Sequence, residues 1–173
     1  MIQPVSIPRD DLLDNLANLY ANTLFRHSKK MKPRFGGTIE DHKIGKLGEL
    51  AFDEFCKENH LPIVHSPLRR DYRKLRIQDD FIVEIFGKRR KIEVKTRSYK
   101  QDKPLFYNKA QYDEKEHYNY YVVFAEVRWY SVDLLGWIPA SEIAKYPVRK
   151  DIVSPAYAIP IKDLRGMRLF VEG

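Results

Sequence analysis

Two stretches of this chain carry residue types that could do chemistry together: Asp79-Asp80-Phe81-Ile82-Val83 and Ile92-Glu93-Val94-Lys95-Thr96. Side chains alternate faces along a strand, so Glu93 and Lys95 project to one side while Ile92, Val94 and Thr96 go to the other. Asp80 lies thirteen positions before Glu93, and a hairpin through the intervening Gly87-Lys88-Arg89-Arg90 turn would bring the two near each other. A symmetric hairpin about that turn would set Glu84 opposite Glu93, so strand twist or a bulge is expected to close the remaining gap. Paired carboxylates are hard oxygen ligands, and Mg²⁺ takes one or two of them together with water and phosphate oxygens. The backbone carbonyl of Val94 is a further candidate ligand. A metal so held lowers the pKa of a bound water and stabilises charge on a phosphodiester, while the Lys95 ammonium can orient the attacking water or neutralise the phosphorus centre. An acid-x-lysine triplet by itself is common on exposed strands. It gains weight here from the apolar opposite face of the strand, the upstream acid and the basic surroundings.

A third acid falls in Gly45-Lys46-Leu47-Gly48-Glu49-Leu50-Ala51-Phe52. At about 100° per residue, Glu49 sits at the border of the helix's apolar stripe, beside the line of Gly45 and Phe52. Two glycines inside a helix each cost roughly 1 kcal/mol against alanine, which is understandable if the helix packs closely on a sheet or on a phosphate backbone. A boundary glutamate on an amphipathic helix is otherwise ordinary.

The elements that must hold these residues can be read from periodicity. Residues 9–32 form a helix with Leu12, Leu13, Leu16, Leu19, Tyr20, Leu24 and Phe25 at three- and four-residue spacing and Asp10 as N-cap. Pro33 and Gly36-Gly37 stop it. A second helix starts near Thr38, its hydroxyl capping a turn with Glu40 and Asp41, and ends before Pro62. Strands are expected at 61–65, 81–86, 92–96, 120–127, about 131–138 and 157–161. A polar helix is expected at 108–117 and a short one at 141–145. The result is an α/β arrangement around one central sheet, with residues 1–37 as an N-terminal helical extension and 38–173 as the main domain.

Charge points toward a polyanion. The 173 residues carry 31 Lys and Arg against 24 Asp and Glu, a formal net charge of +7, and the excess is clustered. Lys29, Lys30, Lys32 and Arg34 form one group, Arg69, Arg70, Arg73, Lys74 and Arg76 a second, and Lys88, Arg89, Arg90 and Lys91 an unbroken third, followed by Lys95 and Arg97. Such patches are the footprint of a nucleic-acid binder, though a solvated face that aids solubility also looks like this. The longest apolar run, 120–125, is far short of the roughly 20 residues of a membrane span. A single cysteine, Cys56, excludes an internal disulfide and any multi-cysteine metal site and fits a reducing cytoplasm. The five histidines share no ligand spacing, and Gly45-Lys46 does not complete a phosphate loop.

The ordered set of Glu49, Asp80, Glu93 and Lys95 resembles the PD-(D/E)xK nuclease superfamily, with its restriction-endonuclease-like fold. The resemblance covers residues 38–128. It implies an αβββαβ core, a mixed central sheet flanked by helices, to which the N-terminal helix and a C-terminal β/α extension are added. Glu49 matches the helix acid, Asp80 the strand aspartate, and Glu93 and Lys95 the E-x-K pair. Tyr107-Asn108-Lys109-Ala110-Gln111 matches the opening of the second core helix, whose polar residues, here Gln111 and Lys109, assist the site in many branches. Asp79 stands where the family has proline, leaving two adjacent aspartates as candidates; Asp80 is preferred because Phe81, Ile82 and Val83 follow it.

The resulting expectation is a Mg²⁺- or Mn²⁺-dependent DNA endonuclease of restriction, homing or recombination type. Asp80, Glu93, the Val94 carbonyl and Glu49 would hold metal, Lys95 and Gln111 would complete the site, and Arg69, Arg70, Arg73, Lys88, Arg89, Arg90, Lys91, Arg97 and Lys109 would grip double-stranded DNA. Cutting both strands calls for two sites, so a homodimer or higher homo-oligomer is expected. The alternatives are a non-catalytic nucleic-acid-binding module with the same fold, or a structural protein whose basic face meets an acidic partner.

Overall fold

The computed structural model describes residues 3–28, 38–68, 80–100 and 103–172, the side chains of 27 and 28 excepted. Helix α1 (Asp11–Ser28) starts where Asp10 accepts a hydrogen bond from the Leu13 amide at 2.8 Å. Helix α2 (Ile39–Glu58) opens on a capping box: the Thr38 hydroxyl accepts from the Asp41 amide while the Asp41 carboxylate accepts from the Thr38 amide. Both caps follow the sequence expectation, as does the end of α2 before Pro62.

Six strands make the central sheet: β1 (Val5–Pro8), β2 (Ile63–His65), β3 (Phe81–Ile85), β4 (Lys88–Ser98), β6 (Tyr120–Val127) and β7 (Ser131–Pro139), in the order β1-β7-β6-β4-β3-β2. Only β4 and β6 run parallel; the other neighbours are antiparallel. A second sheet, order β5-β9-β8, is built from β5 (Leu105–Asn108), β8 (Val148–Arg149) and β9 (Ala156–Ile159). Short helices α3 (Lys109–Asp113), α4 (Ala140–Ile143) and α5 (Arg168–Glu172) complete the chain. The architecture is α/β, a mixed sheet flanked by helices. Among the described residues no helix is long and apolar enough to cross a membrane.

The sheet is apolar on both faces, which explains the near-continuous hydrophobic run of β6. Tyr121, Val123 and Ala125 join Leu47, Ala51, Phe52, Phe81 and Ile92 in a core beneath α2. Tyr120, Val122 and Phe124 face the opposite way, into a core with Leu105, Tyr107, Ile138 and Tyr157 under the small sheet. At Gly48, α2 meets β4 directly: a Cβ placed there would lie 1.9 Å from Thr96 Oγ1. Close packing is therefore the reason for this glycine, as expected. Gly45, by contrast, has nothing among the described residues within 4 Å of such a Cβ.

Several elements differ from the sequence reading. The hairpin turn is Phe86-Gly87 rather than 87–90, because both residues take positive φ (50° and 67°), the type I′ geometry that matches strand twist. Lys88, Arg89, Arg90 and Lys91 consequently lie on the strand, not on its turn, and alternate between its two faces. The polar helix at 108–117 shrinks to Lys109–Asp113, capped by Asn108. β1, β5, β8 and α5 escaped periodicity because elements of two to five residues are too short to display it. The N-terminal segment supplies the edge strand β1, paired antiparallel with β7.

Candidate active site

β3 and β4 pair with Phe81 across from Ile92. One step further along this register, Asp80 stands across from Glu93. No bulge is needed, contrary to the sequence expectation, since the two-residue turn sets the pairing. The two carboxylates then meet the same two groups. The Tyr120 hydroxyl lies 2.9 Å from Asp80 Oδ2 and 2.8 Å from Glu93 Oε2. The Lys115 ammonium lies 3.3 Å from Asp80 Oδ2 and 3.0 Å from Glu93 Oε2, and it also donates to the Tyr120 hydroxyl. Tyr107, from β5, donates to Glu93 Oε2 at 2.5 Å.

On the other oxygen, Glu93 Oε1 is 2.7 Å from Lys95 Nζ. Lys95 in turn donates to Gln111 Oε1 at 2.7 Å, which brings the start of α3 into the cluster. The network is layered by the alternation of β4: Glu93 and Lys95 face the small sheet, whereas Thr96 faces α2.

Glu93 is only 8% exposed. Burial opposes its ionisation, but the neighbouring Lys95 and Lys115 ammonium groups, together with hydrogen bonds from Lys95 and Tyr107, hold its carboxyl down at about 2. Asp80 moves the other way, its carboxyl raised by burial and by the Glu93 charge against the pull of Lys115 and Tyr120. The Tyr107 and Tyr120 phenols are pushed well above their usual range by burial and by the adjacent carboxylates, so both stay protonated donors. One carboxylate firmly ionised beside another biased toward its proton is the kind of asymmetry found at functional sites.

The raised Asp80 carboxyl gives a stability prediction. A carboxyl whose folded pKa is raised binds its proton more readily in the folded state, so the fold loses stability as pH rises from the unfolded toward the folded value. In metal-free buffer at pH 7, Asp80→Asn should therefore raise stability, by about 1 kcal/mol. Calorimetric melts check this: the gain should fade when parent and variant are compared in acid. A lower melting temperature for the variant at pH 7 would mean that the Lys115 contact outweighs burial and Glu93.

The remaining expected site residues are dispersed. Glu49 Oε2 is 2.5 Å from Lys46 Nζ one helical turn back, and among the described residues no group of three or more His, Cys, Asp or Glu side chains gathers. The structure thus joins Asp80 and Glu93 with Lys95 and Gln111, while Glu49 forms no three-acid cluster with them. Arg97 is engaged internally, with Glu126 and with the carbonyls of Lys100, Lys103 and Pro104. Lys109 pairs with Asp113 at 2.6 Å on the surface. Lys88, Arg89 and Lys91 are exposed, and Arg90 is half-buried and donates to Asn119 Oδ1. Asp79, Arg69, Arg70, Arg73, Lys74 and Arg76 lie outside the described residues, as do Lys29, Lys30, Lys32 and Arg34. Cys56 is core, its thiol pushed up to about 12 by burial.

Sequence reasoning missed Tyr107, Tyr120 and Lys115. Tyr107 was assigned to the opening of a helix but sits in β5. Tyr120 and Lys115 are distant from Glu93 in sequence, and only the parallel pairing of β6 with β4, which sets Lys91 across from Tyr120, brings that hydroxyl in. Alternation along β6 puts Tyr120 and Tyr121 on opposite faces, a signal present in the sequence that does not say which face meets Glu93.

The donor set bears on whether a metal would fit. Two carboxylate oxygens converge on one positive charge, the Lys115 ammonium, as hard oxygen ligands would on a divalent cation. Two carboxylates suffice for Mg²⁺ when water and phosphate oxygens supply the rest, but Lys115 would have to give up its present position. Compared with protein-family models, curated proteins and solved structures, the chain matches none. The functional reading therefore rests on the residues and their geometry.

Proposed function

We propose that this protein is a metal-dependent nuclease that hydrolyses phosphodiester bonds in DNA, built on a restriction-endonuclease-like αβββαβ core formed by α2, β2, β3, β4, α3 and β6. The observation that carries this reading is the convergence of Asp80 and Glu93 on a single cationic position, with Lys95 2.7 Å from Glu93. Asp80, Glu93 and the Val94 carbonyl would hold Mg²⁺ or Mn²⁺; Glu49, on the α2 side of the sheet and paired with Lys46, takes no part. When bound, such an ion supplies Lewis acidity toward a phosphate oxygen and lowers the pKa of a water.

The chain's own groups do the rest. Glu93, ionised down to about pH 2, keeps a full negative charge at any working pH. Lys95 presents its ammonium on the same face, where it can orient a water and balance charge at phosphorus. Gln111 fixes that ammonium through its Oε1. Tyr107 and Tyr120 hold the Glu93 carboxylate from below, so its position is set before substrate arrives. Exposed Arg89 and Lys91, on the Glu93 side of β4, would meet phosphates, giving affinity without sequence preference. A two-fold pair of chains would present one site to each strand.

One observation favours the non-catalytic alternative: Lys115 already neutralises both carboxylates, as in a structural ion network. Supercoiled plasmid titrated with Mg²⁺ and with Mn²⁺ separates the two. The nuclease reading expects nicked or linear products only when metal is added. Plasmid left intact at all metal concentrations up to about 10 mM, yet still shifted in a gel and released by salt, would establish the binding module instead.

A further inference from the structure

Across the sheet from Glu93, a cavity of about 430 Å³ opens at the turn end of the β3–β4 hairpin, walled by Phe86, Arg90, Tyr121, Trp137, Arg165 and Phe170 among others. Its floor is aromatic. The Tyr121 and Trp137 rings lie 4.8 Å apart, and Phe170 meets Trp137 edge-on at 5.5 Å. Above these rings stand two guanidinium groups, Arg90 at 5.4 Å from the Tyr121 centroid and Arg165 at 5.0 Å from that of Trp137.

The arrangement is built rather than incidental. Arg165 and Trp137 exchange both backbone hydrogen bonds, each 2.9 Å, which fixes their side chains on one side. That approach needs a glycine at 136, where a Cβ would lie 2.5 Å from the Arg165 carbonyl oxygen. Arg90 is anchored on Asn119 Oδ1 and Arg165 on Glu142 Oε1. A guanidinium has five N–H donors, so one partner each does not exhaust them. At the mouth, Phe86 holds φ of 50° and remains 64% exposed. An aromatic residue in that conformation costs stability, and such costs concentrate at ligand clamps.

We propose that this cavity binds a nucleotide, with the base against Tyr121 and Trp137 and the phosphate taken by Arg90 and Arg165. A wholly apolar occupant would strip water from two guanidinium groups without compensation. A bare anion would leave the half-buried Tyr121 ring and the exposed Phe86 ring at the mouth uncovered. A planar ring bearing a phosphate satisfies both, since arginine pairs phosphate bidentately and aromatic faces stack on any base. The volume lies within the usual range for small-ligand sites. The ligand could be a free nucleoside monophosphate or the terminal nucleotide of a strand; the chemistry is the same. This inference stands independently of the nuclease reading.

The test uses the full chain without divalent metal. The protein has two tryptophans, and Trp129 is 81% exposed, so Trp129→Phe leaves Trp137 as the only indole reporter. This variant is titrated with AMP, with a short 5′-phosphorylated oligothymidylate, and with the same oligonucleotide lacking the phosphate. Saturable quenching is expected with AMP if the free nucleotide is the ligand, or with the phosphorylated oligonucleotide alone if a strand end is. Arg165→Gln and Arg90→Gln, each added to that background, should weaken binding about tenfold, as for one lost charge-assisted contact. Arg165 is exposed, so R165Q decides the matter even if R90Q fails to fold. No saturable change with any probe up to about 1 mM, equal quenching without the phosphate, or an R165Q titration that overlays that of the Trp129→Phe parent would each overturn the proposal.

Discussion

On the proposed nuclease reading, Lys95→Ala is expected to lose metal-dependent plasmid cleavage by about 10³-fold, while affinity for duplex DNA falls by less than about tenfold, because one phosphate contact would be a small part of a many-charge interface. The separation of the two effects is what marks a group acting on the reaction. Cleavage rates and gel shifts at one fixed salt concentration measure both; cleavage retained in the variant would mean that the reacting face lies elsewhere. The same substitution has a signature in acid that needs no substrate. Glu93 is buried, and its carboxyl is held at about 2 largely by Lys95 and Lys115. Because its folded pKa lies below the unfolded value near 4.5, it contributes stability above that value, and the contribution is lost as pH falls through the folded one. Without Lys95, one ammonium must offset the same burial. The Glu93 carboxyl then rises, and the loss of stability on acidification begins at higher pH. Thermal melts across roughly pH 2 to 5 would reveal the shift; identical acid profiles for parent and variant would mean that Lys95 does not neutralise Glu93.

Gly48→Ala should be the most destabilising conservative change in α2. Its Cβ would lie 1.9 Å from Thr96 Oγ1 and 2.9 Å from both Thr96 Cβ and Cγ2, so helix and strand must separate. Alanine returns roughly 1 kcal/mol of helix propensity, but overpacking of this kind costs about 3 kcal/mol, and the net loss should lower the melting temperature by several degrees. Thr96→Ala should restore part of it. That change removes the closest atom and also a buried hydroxyl that has no hydrogen-bond partner among the described residues, so Thr96→Ala alone should cost little. It leaves the Cβ contact, which makes the rescue incomplete. Thr96 adjoins Lys95, so on the proposed nuclease reading Gly48→Ala should also reduce cleavage. Equal melting temperatures for parent and Gly48→Ala would mean that α2 rides higher on β4 in solution.

The long elements were legible because their patterns repeat. Asp10 and Thr38 announced two helices through their caps, and the apolar run of 120–127 announced β6 to the residue. The pairing of Asp80 with Glu93 was legible as a neighbourhood but not as a register. That depended on whether Phe86 would accept a positive φ, which the residue type argues against and the flanking strands impose. β5 was hidden by its shortness and by the helix that follows it at once, into whose opening the resemblance drew Tyr107.

The amino-acid order alone determined which side chains share a strand face: Glu93 with Lys95 on one side, Thr96 on the other. Alternation is a local property of extended backbone. Tertiary structure alone decided what that face meets. Tyr107, Lys115 and Tyr120 reach Glu93 through the docking of the small sheet and the parallel pairing of β6 on β4. Lys95 on the same strand and Lys115 from outside it then hold the Glu93 carboxylate ionised against its burial, while burial and the Glu93 charge push Asp80 toward its proton.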